Sequence, residues 1–156
     1  MASFGIQRII AAGLSLGLSS MSAVAQRPSV ATWTAVETAI GRKGAIQPGN
    51  VIKFSFPRSD LSVSVAGVRL KPTLALGGWV AFKEAGRGQA AAMGDLVLTE
   101  SEVSPVMRAL QAGGVEQTAL HNHVLNESPH VMYMHILAHG DAAKIARTIH
   151  DALAQS

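Results

Sequence analysis

The residues of this chain best suited to chemistry are its imidazoles. Six histidines are present, and His121, His123, His130, His135 and His139 fall within nineteen consecutive residues of TALHNHVLNESPHVMYMHILAHGD, positions 118–141. The apolar pattern predicts two strands there, over 115–125 and 131–138, joined by a turn at Asn126, Glu127, Ser128 and Pro129. In an extended strand residues two apart share a side, so His121 and His123 lie together, as do Val131, Tyr133, His135 and Leu137. A turn centred on Ser128 sets His121 opposite His135 and His123 opposite Tyr133, with Cβ atoms about 4.5–5.5 Å apart. Three neutral imidazoles aimed at one point form a donor set for zinc or another borderline divalent metal. Such a site has bonds of about 2.0–2.1 Å, and a catalytic one commonly keeps its fourth position open. The placement depends on register, because a slip of one residue sends His135 to the far side.

The neighbouring candidates carry weaker signals. His139, beside Gly140 and Asp141, reads either as a fourth ligand or as a loop histidine. His130 falls on the opposite face and reads as structural, and His150 lies off the apolar stripe of the last helix, which makes it exposed. Met132 and Met134 with His130 resemble a copper(I) set, but they share a face with Ile136, where methionine is ordinary core filler. Tyr133, the single tyrosine, is placed to donate a proton or orient a ligand. The carboxylates that could serve a metal are Glu127, Asp60 and Asp95, each of which also reads as a turn or surface residue. No phosphate loop, nucleophile elbow or H-E-x-x-H helix is present. Cysteine is absent, which excludes disulfides and thiolate ligands.

The elements that must position these residues are legible along the chain. Trp33, Val36 and Ile40 recur at helical spacing before Gly41 and Gly44. VIKFSF (51–56) and LSVSVAG (61–67) alternate like strands and are expected to pair as a hairpin across Pro57, Arg58, Ser59 and Asp60. WVAFK (79–83) and residues 90–98 follow as strands around a glycine-bearing turn. The segment TESEVSPVMRALQAGG is a helix with two candidate starts, a capping box at Thr99 and Glu102 or an N-cap at Ser104 before Pro105. Asp141 then caps a last helix striped by Ile145, Ala146, Ile149 and Leu153. Hairpins dominate the connections. The expected class is α+β: a mostly antiparallel sheet of about six strands with helices packed on one face.

The N-terminal segment MASFGIQRIIAAGLSLGLSSMSAVAQ has one arginine, a ten-residue apolar run and the Ala23-Val24-Ala25 pattern, which together read as a secretory signal peptide cleaved after Ala25. The run is too short for a membrane-spanning helix, which needs about 20 residues. The expected organisation is therefore a signal peptide over 1–25 and one domain over 26–156. The product is expected to be exported, periplasmic or extracellular, with no stable membrane anchor. Removing the leader leaves 12 basic against 10 acidic residues, scattered singly, which argues against nucleic acid as a partner.

Several longer stretches resemble a known family. FPRSDL (56–61), GGWVAF (77–82), MGDLVLTESEVSPVMRAL (93–110), TALHNH (118–123) and YMHILAHGD (133–141) are similar to the LppY/LpqO family of exported bacterial proteins, a likeness running from about Ile46 to Asp151. The resemblance implies that His121, Asn122, His123, His135, His139 and Asp141 belong to shared motifs, and it attaches no chemistry to them. Lipoprotein members imply a lipidated cysteine, which this chain lacks, and longer relatives hold two related domains where this chain has room for one. Self-pairing as a homodimer is the corresponding expectation. Two functional readings stand. One is an exported domain that binds a divalent metal, zinc in the first instance, as a metal-dependent enzyme acting on a small molecule or cell-envelope component. The other is a non-catalytic small-molecule binding or assembly module, with histidines lining a pocket or a pH-sensitive interface.

Overall fold

The structure, a computed structural model, describes residues 30–156; the leader peptide expected over 1–25 lies outside them. The elements in chain order are α1 (Val30–Ile40), β1 (Ala45–Gln47), β2 (Val51–Pro57), β3 (Ser64–Val65), β4 (Val68–Arg69), β5 (Gly77–Gly86) and β6 (Gln89–Thr99). They continue with α2 (Glu100–Ala112), β7 (Glu116–His121), β8 (Glu127–Ser128), β9 (Val131–Asp141) and α3 (Ala142–Leu153). Six strands form one antiparallel sheet in the order β1-β2-β5-β6-β9-β7, and β4-β3-β8 form a small second sheet. The α+β class with a sheet of six antiparallel strands is therefore observed. Among the described residues no helix is long and apolar enough to cross a membrane.

Strand alternation divides the main sheet into two unlike faces. Phe54, Val80, Phe82, Leu96, Met134 and Ile136 point to one side and pack with Val36 and Ile40 of α1, Val106 and Leu110 of α2, and Ile145 and Ile149 of α3. All three helices thus cover one face. Near one end of the strands, the other face is covered by a second, smaller core, in which Val97, Val131 and Tyr133 meet Val63, Leu70 and Leu76. Asp95, His135 and His121 also point to this second side.

The hairpin expected between 51–56 and 61–67 does not form. β2 instead pairs with β5, Phe54 opposite Val80 and Ser55 opposite Trp79. The alternation of Leu61, Val63 and Val65 is real, but its apolar side serves the second core, where Val63 is fully buried. Arg58 closes off the shorter pairing. Its backbone N–H donates to the Leu76 carbonyl at 2.9 Å, and its guanidinium reaches Glu102 (2.8 and 3.0 Å), Asp60 (2.8 Å) and the Val97 carbonyl (2.9 Å). The chain leaving β2 is thereby tied to β6 and α2.

Two local signals decide the neighbouring geometry. The β5–β6 hairpin turns at Arg87 and Gly88, both with positive φ (50° and 78°), the backbone of a type I′ turn that matches strand twist. Helix α2 starts at Thr99, whose N–H donates to Glu102 Oε2 at 2.7 Å in a capping box, so Pro105 falls inside the helix rather than at its start.

Candidate functional site

β7 and β9 bring the central histidines together, though not in the register the sequence suggested. Glu116 and Gln117 pair with Leu137 and Ile136; the ladder then shifts at Thr118, so that Ala119 opposes His135 and His121 opposes Tyr133. Without that bulge the register of Glu116 and Gln117 would set His121 opposite Met132 on the helix-covered side. The expected pairing of His121 with His135 is off by one step along the face, and His123 lies beyond the end of β7 rather than opposite Tyr133. The extra residue nonetheless keeps His121 on the side of His135.

The rings converge. His121 Nε2 and His135 Nε2 are 2.8 Å apart, a hydrogen bond in which one ring donates and the other accepts. His123 stacks on Tyr133 with centroids 3.4 Å apart and an interplanar angle of 11°, and its centroid is 5.0 Å from that of His121. Asn122 turns away from the rings and donates to the Val124 carbonyl at 2.9 Å, which helps end the strand.

Asp95 joins the group from β6. It is the direct cross-strand partner of His135, on the same face, which implies a Cβ separation of about 4.5–5.5 Å. Its Oδ1 is buried with no hydrogen-bond partner among the described residues. An orphaned buried oxygen costs about 1–3 kcal/mol, more if charged, and invites a water or an ion. Tyr133 is buried and donates its hydroxyl to the Ala75 carbonyl. Burial, reinforced by the negative charges of Glu127 and Asp95, pushes its hydroxyl up to about 12, so it serves as a neutral platform for His123.

The remaining candidates lie elsewhere. Glu127 is buried in β8, where Oε1 accepts from the Val131 N–H at 3.2 Å and lies 3.8 Å from His130 Nε2, while Oε2 has no hydrogen-bond partner among the described residues. Asp60 is engaged by Arg58 in the loop after β2. His139 is exposed on β9 opposite Ala91, four residues from His135, which is roughly 13 Å along a strand. His150 is exposed, and its Nδ1 lies 3.2 Å from the Ile40 carbonyl. Among the described residues no group of three or more His, Asp or Glu side chains stands ready, as positioned, to hold a metal ion. Two nitrogens bound to one tetrahedral ion would be ~3.3 Å apart, so His121 and His135 would have to open by about half an ångström.

Sequence reasoning passed over Lys53 and Trp79, on adjacent strands of this same face. Each is an ordinary strand residue until the β2–β5 pairing is known, so no one-dimensional signal marks them. No curated protein and no solved structure matches the chain. A family model does match, over residues 34–155, and by that match the chain belongs to the family described as Domain of Unknown Function (DUF1259).

Proposed function

We propose that this domain binds a divalent transition metal, zinc in the first instance, through His121 and His135, with Asp95 as the adjoining carboxylate and His123 as a further imidazole within reach. The observation that carries the reading is the approach of two Nε2 atoms to 2.8 Å beside a buried carboxylate oxygen that lacks a partner. Imidazole and carboxylate are the donors such metals take. His123 is exposed, so rotation of its side chain can bring it from the face of Tyr133 toward the pair. A bound metal would supply Lewis acidity at an open position, the chemistry of a metal-dependent enzyme acting on a small molecule or envelope component. His139 is not part of the proposed set.

The test is elemental analysis and zinc titration of protein purified under metal-replete conditions. Near-stoichiometric metal is expected, removable by chelation and lost in His121→Ala and His135→Ala, with Asp95→Asn weakening affinity about tenfold or more. Metal-free protein, or unchanged binding in the two alanine variants, would refute the proposal. The short imidazole contact itself favours a second reading, a metal-free binding module in which the pair shares one proton; chelators would then leave stability and ligand binding untouched.

Export and the LppY/LpqO relationship are part of the same proposal, supported by the leader-like first 25 residues and by the shared motifs. N-terminal sequencing of the protein expressed from the full reading frame in a bacterial host is expected to begin at Gln26; recovery of the uncleaved chain alone would oppose export.

A further inference from the structure

The sheet face opposite the helices carries a second feature that the histidines do not use. Where the segment joining β4 to β5 folds over that face, Pro72 and Thr73 stand against Lys53, Ser55 and Pro57 of β2 and Trp79 of β5, around a cleft of about 260 Å³. Lys53 Nζ lies 4.3 Å from the centroid of the Trp79 ring. The indole shields one side of the ammonium, and among the described residues no carboxylate stands within ion-pairing distance of it. Lys53, partly buried, lays its stem along the indole and leaves its ammonium open to an anion. Pro57, Pro72 and Trp79 supply apolar wall, and Ser55 and Thr73 supply hydroxyls. One cation and two hydroxyls in an otherwise apolar concavity form the pattern of a small-ligand site.

We infer that this cleft binds a small carboxylate-bearing molecule, its carboxylate on Lys53 Nζ and its ring or aliphatic body against Trp79 and Pro72. The sheet register links the cleft to the histidines. Trp79 is the cross-strand partner of Asp95, and Asp95 is the partner of His135. The two features therefore lie on one face about two strand spacings, roughly 10 Å, apart. The inference rests on Lys53 and Trp79 and stands without a metal at the histidines.

Tryptophan signals give a direct test, because the chain has two tryptophans and Trp33 is buried in the main core. The indole N–H resonance of Trp79, assigned with Trp79→Phe, is followed by NMR while benzoate and galacturonate are added, with benzyl alcohol and galactose as uncharged counterparts. At least one acid is expected to give a saturable shift that its neutral counterpart does not. Lys53→Met, which keeps the aliphatic stem over the indole, is expected to weaken that binding about tenfold or more. A folded His121→Ala, His135→Ala double variant is expected to bind within about twofold of wild type. Absence of saturation with both acids, an equal response to the neutral compounds, or wild-type binding by Lys53→Met would overturn the inference. Loss of binding in the folded double variant would also overturn it, moving the ligand to the histidine centre.

Discussion

Arg58 shows how much one side chain can hold. Its guanidinium meets two carboxylates and a strand carbonyl, and both it and Glu102 are mostly withdrawn from water, with side chains 12 % and 17 % exposed. Burial pushes the Glu102 carboxyl up, but the Arg58 hydrogen bonds and the Thr99 N–H together outweigh it and hold the group below its ordinary value of 4.5. A carboxyl held low in the fold contributes stability that is complete above that ordinary value and is lost as pH falls through the folded value. Arg58→Ala is therefore expected to cost about 2–4 kcal/mol at neutral pH, because it leaves Glu102 without its cation. The same change should flatten the acid limb of stability in denaturant titrations run between neutral and roughly pH 3. Tyr133 tests the opposite sign. Its hydroxyl, pushed up to about 12 by burial and by Glu127 and Asp95, stays neutral in the fold, so its contribution is complete below the ordinary value of 10 and fades as pH rises from there through 12. Because it is the chain's one tyrosine, ultraviolet titration should show no tyrosinate in the folded protein until about two pH units above a free tyrosine; an ordinary titration would contradict the buried platform under His123.

Elements were legible in the sequence where the signal is local. Asp141 caps α3, its Oδ1 accepting from the Lys144 N–H at 2.7 Å, as its position before the apolar stripe implied. Asp141→Ala is expected to cost about 1 kcal/mol in chemical denaturation, the usual worth of an N-cap, and Asp141→Asn to restore most of it. The Thr99 capping box and the Arg87–Gly88 turn belong to the same local class. Strand partners were legible for β5 with β6 and for β7 with β9 but not for β2, because alternation states which side of a strand is apolar and not which apolar surface it meets. Residues 61–65 carried a correct pattern and served the second core rather than β2. The histidine site sits on that boundary. Its side-chain parity was readable, but a one-residue bulge at Thr118 set the register, and nothing in the order of residues 116–121 announces a bulge.

The molecule has two apolar cores on opposite faces of one sheet, and only the smaller touches the histidine centre. Leu110 is fully buried under the helices, whereas Leu76 is fully buried beside Tyr133. Truncating either to alanine should cost a comparable 2–5 kcal/mol or so, since each leaves a cavity in close-packed surroundings. Their effects on the site should differ. Leu76→Ala loosens the packing that fixes Tyr133, on which His123 stacks at 3.4 Å, and also the segment whose Ala75 carbonyl receives the tyrosine hydroxyl. Leu110→Ala disturbs the face turned away from the rings. If zinc binds wild type as proposed, a hundredfold excess over its dissociation constant is expected to add about 2.7 kcal/mol, a rise of roughly 10 °C in melting temperature for a domain of this size. That increment should shrink in Leu76→Ala, together with shifts of the His121, His123 and His135 ring protons. In Leu110→Ala it should persist on a lower baseline. Equal loss in both variants, read by zinc-dependent melting and histidine NMR, would mean the centre depends on global stability rather than on the small core beside it.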